Sequence, residues 1–281
     1  MLPIRQRKSL GQHFINNPNI ISNISSIIIN KIQENLNNHF ITILEIGSSY
    51  GILSFNLLDQ LISNNVSFNL FILNEVDYRL IKKLELKIEE NNKFNELFLD
   101  KKLQIMNIPF EKIDLSQFKE LVLIGNIPFY ITGIVLRKII DYNKNLKLIV
   151  LNLQKEVVDK IKSLSSAQSI ILHTIYNLDY HFIIHPKYYT PKPKVFSQII
   201  SFSKKQDFSK DYINKLYKFL DKIYKNKNKK LLNILTSQEL NKIKNKIKNS
   251  INDNKINLIL EKRANNLDFK DLLILFDYLN I

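Results

Sequence analysis

Leu44-Glu45-Ile46-Gly47-Ser48-Ser49-Tyr50-Gly51-Ile52-Leu53 is the stretch that decides the fold. An apolar run over 41–46 reads as a buried strand, and an amphipathic pattern over 52–61 reads as a helix. Two glycines flank the turn between them. A glycine turn after the first strand, opening a helix, brings backbone close to a nucleotide-like ligand in doubly wound sheets. No lysine follows the turn, so a phosphate-cradling P-loop is disfavoured. An NAD-type or an S-adenosylmethionine-type turn remains.

Outward from this turn, the alternation continues. Further candidate strands lie over 69–75, 103–107, 120–125, 146–152, 179–185 and 195–202, with helices over 78–90 and 131–141 among those between the first five. Buried strands rich in Ile, Leu and Val, alternating with helices, predict an α/β fold with a mostly parallel sheet covered on both faces. The last two strands are separated by a Pro-rich loop, His185 to Pro193, which predicts an antiparallel hairpin at one edge. After residue 204 no strand-like run occurs. Lys and Asn dominate, with Tyr212, Leu216, Phe219, Leu220 and Ile223, then Leu231, Leu232 and Leu235, at helical spacing. This predicts two domains, an α/β domain over 1–204 and a small, basic, all-helical domain over 205–281.

The chain has 281 residues, 41 basic against 26 acidic side chains, and a formal net charge of +15. That excess favours a polyanionic partner, nucleic acid ahead of an anionic membrane surface. The lysine-dense run from Lys222 to Lys230 reads either as a solvated helix face or as a phosphate contact, with Lys225, Lys227, Lys229 and Lys230 the candidates. The chain has no cysteine. Disulfides and thiolate metal sites are excluded, no metal site is expected, and a reducing, cytoplasmic setting is expected. The first residues are basic without an apolar core, so no secretory signal is expected, nor any membrane span. Only five glycines occur, Gly11, Gly47, Gly51, Gly125 and Gly133, and each is expected to meet a backbone need.

Two further features sit at predicted strand ends. Glu75 ends the second strand, where an acid can hydrogen-bond ribose hydroxyls. Asn126-Ile127-Pro128-Phe129 follows the fourth strand. An amide oxygen can accept from an exocyclic amine, a proline fixes the backbone and leaves carbonyl acceptors around it, and an aromatic ring can stack on a base. Turn, acid and tetrapeptide share the carboxyl edge of the sheet, where ligands of open α/β sheets bind. Together they point to methyl transfer onto adenine N6.

In these residues and in further blocks, the chain resembles the ribosomal RNA adenine dimethyltransferase family, in the same superfamily as the macrolide-resistance rRNA methyltransferases. Arg7-Lys8-Ser9-Leu10-Gly11-Gln12-His13-Phe14-Ile15 resembles its N-terminal signature, residues 44–53 its cofactor turn, and Asn126 to Phe129 its Asn-Leu-Pro-Tyr motif. Leu153-Gln154-Lys155-Glu156-Val157, Tyr189-Thr190-Pro191-Lys192-Pro193-Lys194-Val195-Phe196-Ser197, residues 227–235 and Arg263-Ala264 resemble later blocks. The resemblance implies a Rossmann-like class I methyltransferase sheet. It implies S-adenosylmethionine as methyl donor and two adjacent adenosines near the 3′ end of small-subunit rRNA as target, met on a pre-30S-type particle by a monomer. By the same resemblance, residues 1–40 form a cofactor- and RNA-contacting segment, from which Gln12, His13 and Ile15 close over the cofactor. Gly47 approaches its methionine end, Glu75 its ribose. Asn126 and the backbone at Pro128 hold the N6 amine, while Phe129 and Tyr189 sandwich the base.

The chain departs from the family pattern at Ser49, where the turn has Gly, and at Ser48, where it has Pro. Met106 to Phe110 lacks the family's cofactor-contacting Asp, and Phe129 stands for Tyr. Two alternatives stay open: a large-subunit rRNA adenine methyltransferase, and a catalytically weak ribosome-assembly factor.

Overall fold

A computed structural model describes residues 13–36, 41–226, 228–247 and 253–280. The elements run β1 (Phe14–Ile15), α1 (Pro18–Asn35), β2 (Thr42–Ile46), α2 (Ile52–Ser63), β3 (Leu70–Asn74), α3 (Tyr78–Glu89), α4 (Asn92–Leu99) and β4 (Leu103–Met106). They continue with β5 (Leu121–Gly125), α5 (Thr132–Asp141), β6 (Leu146–Gln154), α6 (Lys155–Lys162), α7 (Ala167–Ile175), β7 (Tyr176–Ile184), β8 (Tyr189–Thr190) and β9 (Ser197–Lys204). Among the described residues four helices follow, α8 (Lys210–Lys225), α9 (Ser237–Ile247), α10 (Asp253–Glu261) and α11 (Phe269–Asn280).

The residues form two compact units. One comprises positions up to 159 together with 175–207, the other positions 160–174 and those from 208 onward. In the first, seven strands lie in the order β4-β3-β2-β5-β6-β9-β7. The first five run parallel, and β9 is antiparallel to both β6 and β7. The expected edge hairpin is present, with its second strand inserted against β6. Every residue of β2 and β5 is buried. That is why they read as continuous apolar runs, since a parallel sheet is covered on both faces.

From β2 the chain builds outward through β3 and β4 on one side, then returns to place β5 and β6 on the other. The order reverses between β2 and β5, and a crevice opens at their carboxyl ends. Gly125 closes that crevice at its base: a Cβ there would lie 2.7 Å from the Ile46 carbonyl oxygen. Gly133 carries no such requirement, because a Cβ would meet nothing within 4 Å. The expectation that every glycine meets a backbone need fails there.

Helix α1 lies within the segment expected to contact cofactor and RNA. The Asn17 side chain caps it by accepting from the Ile20 N–H at 3.1 Å, and Pro18 opens its first turn. Ile21, Ile24, Ile28, Ile29 and Ile32 bury one face. The short strand β1 pairs antiparallel with β8, Phe14 opposite Thr190 and Ile15 opposite Tyr189.

In the second unit, α8 buries Ile213, Leu216, Phe219, Leu220 and Ile223. Phe276 meets the rings of Tyr212 and Phe219 at 5.2 and 5.5 Å. The unit also takes in residues 160–174, which a boundary at 204/205 assigns to the α/β domain. The Tyr224 hydroxyl donates to the Leu164 carbonyl at 2.6 Å, and His173 meets the Phe269 ring edge-on. No helix among the described residues is long and apolar enough to cross a membrane, and no cluster of three or more potential metal-ligating side chains occurs among them.

Candidate active site

The turn after β2 has left-handed backbone at Gly47 (φ +70°), Ser49 (φ +56°) and Gly51 (φ +73°). A non-glycine residue in this region costs on the order of 1 kcal/mol. Ser49 is held there by its own N–H, which donates to Glu75 Oε2 at 2.9 Å. The N–H groups of Gly47 and Ser48 donate to the Asn74 carbonyl at 2.8 and 3.0 Å. The turn therefore hangs on the end of β3. Glu75 Oε1 accepts from the N–H groups of Val76 and Asp77, both at 2.8 Å. Burial pushes the Glu75 carboxyl above the usual carboxylate range, and its backbone donors oppose that. A carboxylate offers about four lone-pair sites, so one remains for a ligand hydroxyl. Beneath the turn, Glu45 is buried and accepts from the Ser54 hydroxyl. Burial raises its carboxyl to about 7.

Across the crevice, Asn126 to Phe129 leaves β5. The Asn126 amide nitrogen donates to the His13 carbonyl at 2.9 Å. The Pro128 carbonyl accepts from the Ile131 N–H at 3.1 Å, one of its two lone pairs. Phe129 is half-buried, its ring 5.7 Å from that of His13. Between the turn and this loop lies a cleft of about 320 Å³. His13 and Phe14 border one side, Ile46, Gly47, Ser49 and Glu75 the floor, and residues 126–131 the wall. Pro109 and Phe110 close the end beyond β4.

A model of the ribosomal RNA adenine dimethylase family matches residues 4–278. The chain belongs to that family. It is 31% identical over 281 residues to a ribosomal RNA small subunit methyltransferase A of Mycoplasmopsis synoviae, covering 98% of this chain and 97% of the relative. It is 32% identical over 257 residues to the protein of that name from Prochlorococcus marinus, covering 85% of each chain. Among solved structures, a dimethyladenosine transferase from Plasmodium falciparum superposes with a TM-score of 0.68 at 22% identity, covering 95% of this chain and 98% of the other. The 23S rRNA methyltransferase ErmE gives 0.67 at 14% identity, covering 95% and 100%. At these identities the two structures establish the fold, a methyltransferase sheet.

For a member of this family the cleft gathers most of the residues that the sequence singles out. His13, Gly47, Glu75, Asn126, Pro128 and Phe129 all border it. Ile15 is buried and lines a smaller cavity of about 40 Å³ on the other side of the turn, beside Gly47, Ser49 and Asn126. Gln12 and Lys227 lie outside the described residues.

Tyr189 is not positioned to stack on a base. It is 1% exposed, because its pairing with Ile15 turns the ring into the core, where its hydroxyl meets Ser197 and Asn152. Lys225 and Lys230 are exposed but paired, with Asp221 at 2.6 Å and Glu261 at 2.8 Å, and Lys229 is exposed. Such surface pairs contribute roughly 0–1 kcal/mol and yield readily to a competing anion. The two C-terminal blocks that resemble the family also meet: Lys230 bridges Arg263, and the Ala264 N–H donates to the Lys229 carbonyl at 3.0 Å.

The departures are accommodated unequally. Ser49 keeps left-handed backbone, so the turn survives the loss of glycine. Asn107 does not reach the cleft; its amide donates to the Glu75 carbonyl at 2.8 Å. The residues there are Pro109 and Phe110, which sequence reasoning passed over. A signal for them existed, because Asn107-Ile108-Pro109-Phe110 repeats the tetrapeptide at 126–129 letter for letter. Phe14 and Tyr130 are further cleft residues without a periodic signal.

Proposed function

We propose that this protein transfers methyl groups from S-adenosylmethionine to N6 of two adjacent adenosines near the 3′ end of small-subunit rRNA, acting as a cytoplasmic monomer on a pre-30S-type particle. The observation that carries the reading is the cleft itself, in which the Asn126 amide and Phe129 ring face the Gly47 turn and Glu75.

The cofactor, when bound, supplies a methyl group activated on a sulfonium. The cleft fits it: the Glu75 carboxylate keeps an acceptor site for a ribose hydroxyl, and Gly47, at φ +70°, presents bare backbone to the cleft. Adenine N6 is a poor nucleophile, since its lone pair is delocalised into the ring. Asn126 Oδ1 and the free lone pair of the Pro128 carbonyl accept its two N–H bonds and favour a pyramidal nitrogen. Positioning then accounts for most of the acceleration. The adenosine must leave its stack, and the Phe129 ring replaces that stacking. The chain's basic excess, with Lys225, Lys227, Lys229 and Lys230 in the C-terminal unit, supplies phosphate contacts.

Labelled S-adenosylmethionine incubated with small ribosomal subunits lacking the modification tests the reading. The expected product is N6,N6-dimethyladenosine in small-subunit RNA; label confined to large-subunit RNA overturns it. Neutralising the four lysines should flatten the salt dependence of RNA binding, by up to about 3 in slope for single-stranded contacts. An unchanged slope returns them to a solvated surface.

A further inference from the structure

Asn126 is one link in a buried polar chain that crosses four segments of the fold. Its oxygen accepts from Asn152 Nδ2 at 2.8 Å. The same nitrogen reaches the Tyr189 hydroxyl at 2.6 Å, and that hydroxyl lies 2.6 Å from Ser197 Oγ. Asn152 sits on β6 and is 2% exposed.

One atom sets the direction of both amides in this chain. The His13 carbonyl can only accept, so the nitrogen end of the Asn126 amide must face it. The oxygen end therefore faces β6, and Asn152 must present its NH₂ group. Both N–H bonds of Asn152 are then committed, one to Asn126 and one to Tyr189. The Tyr189 hydroxyl accepts from Asn152 and shares a further hydrogen bond with the Ser197 hydroxyl. Asn126 Oδ1 keeps one free lone pair, the acceptor that an exocyclic amine needs.

The arrangement carries a cost that stability does not explain. Asn152 Oδ1 is buried without a hydrogen-bond partner among the described residues. Such an orphan acceptor destabilises by about 1–3 kcal/mol, and an apolar side chain of similar shape at that position avoids the penalty. An asparagine held there against its own desolvation is explained by what its other end does.

We infer that Asn152 is a positioning residue: by donating to Asn126 Oδ1 it secures, together with the His13 carbonyl, which end of that amide meets the target amine. The inference rests on the reading of Asn126 as the N6 acceptor. The terminal torsion of an asparagine is broad and roughly two-fold. Without Asn152 the Asn126 amide is held by the His13 carbonyl alone, one orienting hydrogen bond instead of two, so the flipped amide that meets the amine donor to donor costs less to reach. Tyr189 thereby has a role, as the hydroxyl that aligns Asn152.

The test compares full-length Asn152→Leu, Asn152→Asp and Asn126→Ala proteins, with S-adenosylmethionine and unmodified small subunits. Asn152→Leu should lower kcat at least tenfold, leave KM for both substrates within threefold, and leave the thermal midpoint unchanged or raised. Undiminished kcat overturns the inference; so does a fall in kcat accompanied by matching changes in KM and a lower midpoint, which marks a structural role. Asn152→Asp decides the matter if the leucine variant does not fold. An ionised Asp cannot donate to Asn126 Oδ1, so at pH 8 this variant should also lose kcat at least tenfold with KM within threefold; undiminished turnover overturns the inference. Full turnover in Asn126→Ala sinks the reading of Asn126 itself, whereas a dead Asn126→Ala beside an intact Asn152→Leu sinks only the role of Asn152.

Discussion

The chain contains the tetrapeptide Asn-Ile-Pro-Phe twice, at 107–110 and 126–129, and the two copies do different work. Each leaves the end of a parallel strand, β4 or β5. Their backbones nearly coincide: Pro109 has φ −53° and ψ 133°, Pro128 φ −58° and ψ 132°, and each is followed by one turn of 3-10 helix. Burial is inverted. Phe110 is 3% exposed and Ile108 42%, whereas Ile127 is 2% exposed and Phe129 stands half-buried in the cleft. The amides differ as well, since Asn107 is turned onto the Glu75 carbonyl while Asn126 borders the cleft between His13 and Asn152. Neighbouring strands make the difference. β4 is an edge strand with only β3 beside it, while β5 lies between β2 and β6. Four identical residues acquire their chemistry from what stands on either side.

That contrast can be broken by paired substitution. Phe110→Ala should cost about 3–5 kcal/mol of stability in denaturant unfolding, as buried aromatics do. Phe129→Ala should leave the unfolding midpoint nearly unchanged and lower kcat/KM by the equivalent of about 1–3 kcal/mol of base stacking. Equal effects on stability would erase the difference in burial.

A pH series asks whether the frame shared by both copies loosens without either being touched. Glu45, in β2, has its carboxyl raised to about 7 by burial. A raised folded-state value favours the protonated form, so the stabilisation is fully present below about pH 4.5 and is lost as pH rises through 7. Glu45→Gln removes that loss. The variant should match wild type near pH 4.5 and exceed it by up to about 3 kcal/mol at pH 8. Parallel stability curves would show that Glu45 is not buried beneath the turn.

The amides give the next contrast. Asn126→Ala should lower kcat about a hundredfold, near 2.7 kcal/mol, with RNA binding retained. Asn107→Ala should cost one hydrogen bond, about 1 kcal/mol of stability, and change kcat little. The isoleucines give the smallest effect: Ile127→Val should destabilise by about 0.5–1.5 kcal/mol and Ile108→Val within about 0.5 kcal/mol, measured by unfolding.

The same comparison marks how far the sequence could be read. The parallel strands were legible because Leu121 to Gly125 and its neighbours are buried on both faces and therefore apolar throughout. Glu75 and Asn126 were legible because polar residues at the ends of such runs stand out. Tyr189 was not, because the direction of its ring depends on pairing with Ile15, and two-residue strands carry no periodicity. The helix at Pro18–Asn35 has isoleucines at helical spacing, yet it precedes the first strand of the large sheet and so stands outside the strand–helix alternation. Residues 160–174 follow a strand of the first unit in sequence, and only tertiary contacts assign them to the second. The repeat at 107–110 was legible as text, but not its inverted burial, which depends on which strand lies at the edge.

The pairing of β1 with β8 also sets a timetable for the birth of the protein. Phe14 is synthesised early, yet its partner Thr190 follows 176 residues later. The carbonyl that orients Asn126 belongs to the residue just before β1, and His13 is itself tied to the Pro191 carbonyl at 2.8 Å. Most of the sheet can emerge from the ribosome and pair before that clasp exists. Contacts so distant in sequence close late, because the entropy of a long loop must be overcome first. A nascent chain can therefore carry its five parallel strands paired while the Asn126 amide still lacks its clasp, until β8 has been made, and competence for methyl transfer is among the last properties that the folding molecule gains.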